Sequence, residues 1–75
     1  VMEAGDLIYI PSDVAMCGID ENGIPARRYY RTRKPAVVLV VARQEKGNWL
    51  TVAMDGSLWG VRPNQGSLYC KGKQT

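Results

Sequence analysis

Asp55-Gly56 stands between two β-rich runs, Trp49 to Met54 and Ser57 to Arg62. An Asp-Gly pair in that setting calls for a type I′ turn, because both central positions take positive φ. The turn sets a register. It predicts Met54 opposite Ser57, Val52 opposite Trp59 and Leu50 opposite Val61, all on one face, which is assigned to the core. Trp49, Thr51 and Ala53 then share the other face with Leu58, Gly60 and Arg62, and Trp49 lies across from Arg62.

The rest of the chain is punctuated in the same way. Gly5-Asp6 precedes the short β-rich run Leu7-Ile8-Tyr9-Ile10, which Pro11-Ser12-Asp13 closes. Asp20-Glu21-Asn22-Gly23 is a second turn cluster. Arg27 to Thr32 reads as a polar, exposed edge strand, since Tyr29 and Tyr30 favour a strand but apolar alternation is missing. Pro35 introduces Ala36-Val37-Val38-Leu39-Val40-Val41-Ala42, whose β-branched content and length suit a strand. Both faces of that strand are apolar. One lines the core, and the other is covered by the long preceding loop or by another subunit. Glu45-Lys46-Gly47-Asn48 is the next turn. Pro63-Asn64-Gln65-Gly66 is a one-turn connector, Leu68-Tyr69-Cys70 a short last strand, and Lys71 to Thr75 a polar, frayed tail. No amphipathic segment is long enough for a helix, and no repeat is visible.

Seventy-five residues make one domain, 1–75, with its core at about 5–70. A chain of this size buries only about 60% of the surface its unfolded form exposes, so self-association is an expected support. Ala36–Ala42 is far too short to span a bilayer, and the expectation is that no secretory signal precedes the fold. Two cysteines, Cys17 and Cys70, make no disulfide framework. The expectation is a cytoplasmic protein with both thiols reduced and no membrane partner.

The order of elements is a short strand, a loop of about 25 residues, a strand, a turn, a strand, a tight hairpin, a strand, a one-turn connector and a last strand. It resembles the SH3-like barrel, so the expected fold is all-β: a small five-stranded SH3-like barrel with a long first loop. Closure suits a small sheet because it removes most exposed edges. Ala36-Val37-Val38-Leu39-Val40-Val41, Trp49-Leu50-Thr51-Val52 before Asp55-Gly56, and Val61-Arg62-Pro63 resemble the small uncharacterised SH3-like proteins of tailed bacteriophages. The resemblance implies a phage or mobile-element origin and a bacterial cytoplasm, and it brings no activity with it. Signalling SH3 domains carry an Ala-Leu-Tyr-Asp-Tyr motif and a Trp-Trp pair, and this chain has neither. Pro11-Ser12-Asp13 and Gly56-Ser57 are similar to stretches of the plasmid-encoded dihydrofolate reductase. That enzyme needs Val-Gln-Ile-Tyr on its fourth strand, where this chain reads Leu58-Trp59-Gly60-Val61.

Chemistry is sparsely supplied. There is no histidine, the commonest general base near neutral pH. Two cysteines about fifty residues apart lack the paired spacing of a zinc site. Asp6, Asp13, Asp20 and Asp55 sit at turns, where carboxylates cap backbone amides. No glycine cluster forms a phosphate-cradling loop. The expectation is therefore no catalytic residue, metal, cofactor or small-molecule substrate.

Two surfaces remain as candidates. The first reading is a non-catalytic interaction module, with Trp49, Arg62, Val38 and Val40 contacting a protein partner or a second copy. An exposed Trp beside an Arg anchors partners well, although the same pair can be a surface cation–π contact. The alternative reading is a nucleic-acid-binding accessory protein. Its residues are Arg27, Arg28, Tyr29, Tyr30, Arg31, Arg33 and Lys34. They hold half of the ten basic residues, and the rest of the chain, with five basic and seven acidic residues, is net −2. Arginines would meet phosphates and a tyrosine would stack on a base. Against this stands an edge strand merely guarded by charge. An enzyme of the plasmid reductase type is the third reading.

Overall fold

The computed structural model describes residues 2–44 and 46–72. Seven strands follow one another: β1 (Leu7–Ile10), β2 (Ala15–Ile19), β3 (Pro25–Arg31), β4 (Ala36–Gln44), β5 (Trp49–Met54), β6 (Ser57–Val61) and β7 (Ser67–Cys70). A single 3₁₀ turn, Pro63–Gln65, separates β6 from β7. All strands belong to one antiparallel sheet in the order β3-β2-β6-β5-β4-β1-β7.

The β5–β6 hairpin has the register that its turn predicts. Met54 pairs with Ser57, Val52 with Trp59 and Leu50 with Val61. Asp55 and Gly56 both take positive φ, at 51° and 76°, the left-handed geometry a type I′ turn requires.

The core is built on one face of the sheet. Ile8, Ile10, Met16, Val38, Val40, Leu50, Val52 and Val61 form a single cluster with at most 3% exposure. With no α-helix among the described residues to cover them, these side chains are buried because the sheet coils on itself. β-bulges bend it. Pairing shifts between Val40 and Ala42, between Cys17 and Ile19, and between Leu7 and Ile8, and a bulge increases local twist and bending.

Three expectations are corrected. The sheet has seven strands rather than five. The long first loop is a hairpin, β2–β3. Ala15-Met16-Cys17-Gly18-Ile19 has no β-branched run and an internal glycine, so nothing local marks it as a strand. It is a strand because β6 pairs along it, with Cys17 opposite Gly60, Gly18 opposite Trp59 and Ile19 opposite Leu58. Finally, the sheet is not closed into a barrel, since β3 and β7 are its two edges.

The turns rest on carboxylates. Asp20 Oδ1 accepts the Asn22 and Ile24 N–H groups, each at 2.9 Å, and shapes the β2–β3 loop. Lys46, Gly47 and Asn48 turn as expected, while Glu45 lies outside the described residues. The tail expected to fray from Lys71 is instead held at its start. Buried Asp6 accepts the Gly72 N–H at 2.8 Å, the Glu3 N–H at 2.8 Å and Lys71 Nζ at 2.9 Å. Residues 73–75, the remainder of that expected frayed tail, lie outside the described residues.

Candidate functional site

β4 alternates between two environments. Val38 and Val40 point into the core, at 3% and 1% exposure, whereas Val37, Leu39 and Val41 are 43–44% exposed. The expected partner contact at Val38 and Val40 is therefore corrected: the two faces are exchanged. Periodicity could not separate them because both are apolar. The neighbouring strand decides, since Val40 pairs with core residue Val52.

The outward residues of β4 are part of a larger arrangement. Directly opposed residues on antiparallel strands share a face. Leu7 is opposite Cys70 and Leu39, Leu39 is opposite Ala53, Ala53 opposite Leu58, and Leu58 opposite Ile19. An uncharged row thus crosses six strands on the outer face. Tyr9 and Val37, paired beside it, widen the row with two more uncharged side chains, an aromatic ring and an aliphatic one.

At its β2 end this face runs into a cleft of about 290 Å³, lined by Cys17, Ile19, Pro25, Gln44, Trp49 and Thr51 among others. Trp49 is half-buried. The Arg62 guanidinium carbon sits 4.6 Å from its ring centroid, as the hairpin register predicts. Gly60 lets this corner close: a Cβ there would lie 3.1 Å from Ile19 Cδ1 and 3.5 Å from the Trp49 ring. Trp49 and Arg62 are thus brought together, and Val38 and Val40 lie on the opposite face from them.

The basic segment is divided by the fold. Arg28 and Tyr30 turn toward Trp59, with the Arg28 guanidinium 5.0 Å from the ring centroid and the Tyr30 ring 5.8 Å away. Arg28 reaches Trp59 by crossing Gly18, where a Cβ would stand 2.9 Å from Arg28 Cβ and 3.0 Å from its Nε. Trp59 is half-buried against the core, and its indole N–H is buried with no acceptor among the described residues. Arg31 pairs with Asp13 at 3.2 Å, an exposed bridge worth ~0–1 kcal/mol. Tyr29 projects freely at 78% exposure, and Arg27, Arg33 and Lys34 are exposed. The Arg28–Trp59 contact was missed in the sequence. Its signal, a glycine directly across from a tryptophan, appears only once β2 is known to be a strand.

Electrostatic perturbation is concentrated at the chain ends. The Gly72 and Glu3 N–H groups and Lys71 hold the Asp6 carboxyl at about 2, below the usual 3.8. The hydrogen bond to Asp6 raises Lys71 in turn. This cluster joins the two ends of the chain and faces no cleft of those described above. Among the described residues, no three His, Cys, Asp or Glu side chains gather as a metal site would require. Cys17 and Cys70 are free.

Compared with known protein families, with curated proteins and with solved structures, the chain matches none.

Proposed function

We propose that this protein is a small non-catalytic binding module that works by protein–protein contact, in the first place with a second copy of itself. One observation carries the reading: the uncharged row across six strands, flanked by Tyr9 and Val37 and leading to Trp49. Within it Leu39 and Cys70 are exposed, Leu7, Ala53 and Leu58 half-buried and Ile19 buried, and with exposed Tyr9 and Val37 they make a partly exposed apolar patch of the kind that marks interaction sites. A second copy fits it because the row carries no charge, so two chains of net +3 meet there without like charges opposed. β3, with most of the local basic charge, is four strands away from β4. Six strands at ~4.8 Å spacing make a row with a contour of roughly 24 Å, curved with the sheet, so that a second copy covers only part of it. That suits an interface no larger than the standard ~800 Å² per partner, and hence a reversible dimer.

The finer fold assignment belongs to the same proposal. β1, β4, β5, β6 and β7, with the 3₁₀ turn before β7, run in the order that the SH3-like resemblance implies, and the β2–β3 hairpin takes the place of the long loop. A phage-related origin and a bacterial cytoplasm follow from that resemblance alone. The enzyme reading gains nothing from Leu58-Trp59-Gly60-Val61, where Val61 is core and Gly60 is buried. Nucleic-acid binding is the second reading. Tyr29, exposed on a strand with Arg27 and Arg31, favours it.

Sedimentation velocity from micromolar to millimolar protein tests the first reading. The wild type is expected to pass from monomer to dimer. Leu39→Asp is expected to remain monomeric, and Trp49→Ala to associate more weakly. A wild type that stays monomeric over the whole range overturns self-association.

A further inference from the structure

We infer that the open edge of β3 takes up an acidic, extended segment of a partner protein as an eighth strand. This goes beyond self-association and uses a different part of the sheet.

The first argument is the backbone. Among the described residues β3 pairs only with β2, which leaves its other side open. The Thr32 N–H donates to Val14 O at 2.9 Å, and Thr32 O accepts the Asp13 N–H at 2.7 Å. The backbone of Thr32 therefore faces β2. Alternation along an antiparallel strand then turns Tyr30 toward β2 as well, opposite Met16, and turns Arg31 and Tyr29 toward the open edge. Tyr29 and Arg31 thus offer N–H donors and C=O acceptors in strand geometry. Strand addition uses just such a row, with main-chain hydrogen bonds giving affinity.

The second argument is rigidity. Arg28 and Tyr30 are fastened on Trp59. The Thr32 hydroxyl donates to Pro11 O at 2.8 Å and accepts the Val14 N–H at 2.9 Å. The edge is therefore ordered before any partner arrives, which lowers the entropic cost of binding.

The third argument is charge. Arg27, Arg28 and Arg31 lie in the strand, and Arg33 and Lys34 follow it. Two copies joined edge to edge would set like charges against each other, so this edge rejects itself. An acidic strand meets opposite charges instead. Nucleic acid would satisfy the arginines and stack on Tyr29. Its phosphates only accept hydrogen bonds, however, and do not offer the regular alternation of donors and acceptors with which a peptide strand meets a sheet edge.

The probe is a short capped peptide alternating glutamate with threonine, titrated into the full chain and followed by amide hydrogen exchange. Three comparisons accompany it: the same peptide N-methylated at alternate amides, a single-stranded oligonucleotide of equal charge, and a variant carrying Arg27→Ser, Arg33→Ser and Lys34→Ser. These three residues are exposed, and retention of the fold is checked by the thermal midpoint. Binding is expected to slow exchange at the Tyr29 and Arg31 amides by about tenfold or more and to weaken with salt. N-methylation and the triple substitution are each expected to weaken it by about tenfold. Leu39→Asp is expected to bind the peptide as the wild type does, which separates this inference from the fate of the self-association reading. No protection at Tyr29 and Arg31 up to millimolar peptide overturns the inference. So does equal binding of the N-methylated peptide, or tighter binding of the oligonucleotide.

Discussion

β4 carries the same kinds of residue on both faces, yet the two faces do different things. Val38 and Val40 are almost wholly buried among side chains from β1, β2, β5 and β6, while Val37, Leu39 and Val41 stand nearly half exposed. The difference is one of register and not of hydrophobicity. A one-residue slip would exchange the two sets, and in the observed register Val40 lies opposite core residue Val52. The inner face therefore carries the fold, and the outer face stands open to solvent, where the proposed contact would form.

Substitutions on the two faces should then separate by size. The largest effect is expected from Leu50→Ala, which empties part of a fully buried site. It should cost about 2–5 kcal/mol in chemical unfolding, against less than about 0.5 kcal/mol for Val37→Ala on the outer face. Comparable losses at the two positions would erase the distinction.

Gly18→Val is expected to come next, at about 1–3 kcal/mol. The new side chain collides with Arg28 and lifts it off Trp59, with the β2–β3 hairpin loosened as a result. Faster amide exchange confined to β3, with β5 and β6 unchanged, is the expected pattern. Uniform loss across the sheet would mean that the hairpin is not a separate unit.

The smallest expected effect is a change in acid response. Asp6 has its folded value lowered from 3.8 to about 2. Its contribution is therefore present in full above about pH 4 and is lost as pH falls toward 2. Asp6→Asn should flatten the decline of stability in that window, read from thermal midpoints at a series of pH values. An unchanged slope would show that the link between the chain ends does not depend on the carboxylate.

The two hairpins show what the sequence makes legible. For β5–β6, the Asp55-Gly56 turn and the apolar alternation of Leu50, Val52 and Val61 agree, so register, face and the Trp49–Arg62 pair could all be read in advance. For β2–β3 only the exposed strand was legible, from its charge and its tyrosines. Its partner β2 has weak local preference and a bulge at Gly18, and it is specified by contacts with β6 and Trp59 that are distant in sequence. The choice of outer residues on β4 failed for a related reason, because a strand apolar on both faces carries no internal mark of which side is in.

One paired measurement tests the central claim most directly: circular dichroism and sedimentation of the neighbouring variants Val38→Asp and Leu39→Asp. A charge at Val38 would be buried without a partner, and this variant is expected to be unfolded, at a cost above about 4 kcal/mol. Leu39→Asp is expected to fold with nearly wild-type stability and to lose the dimer. If Leu39→Asp unfolds as Val38→Asp does, or folds and still associates like the wild type, the division of the sheet into a folding face and a contact face is contradicted.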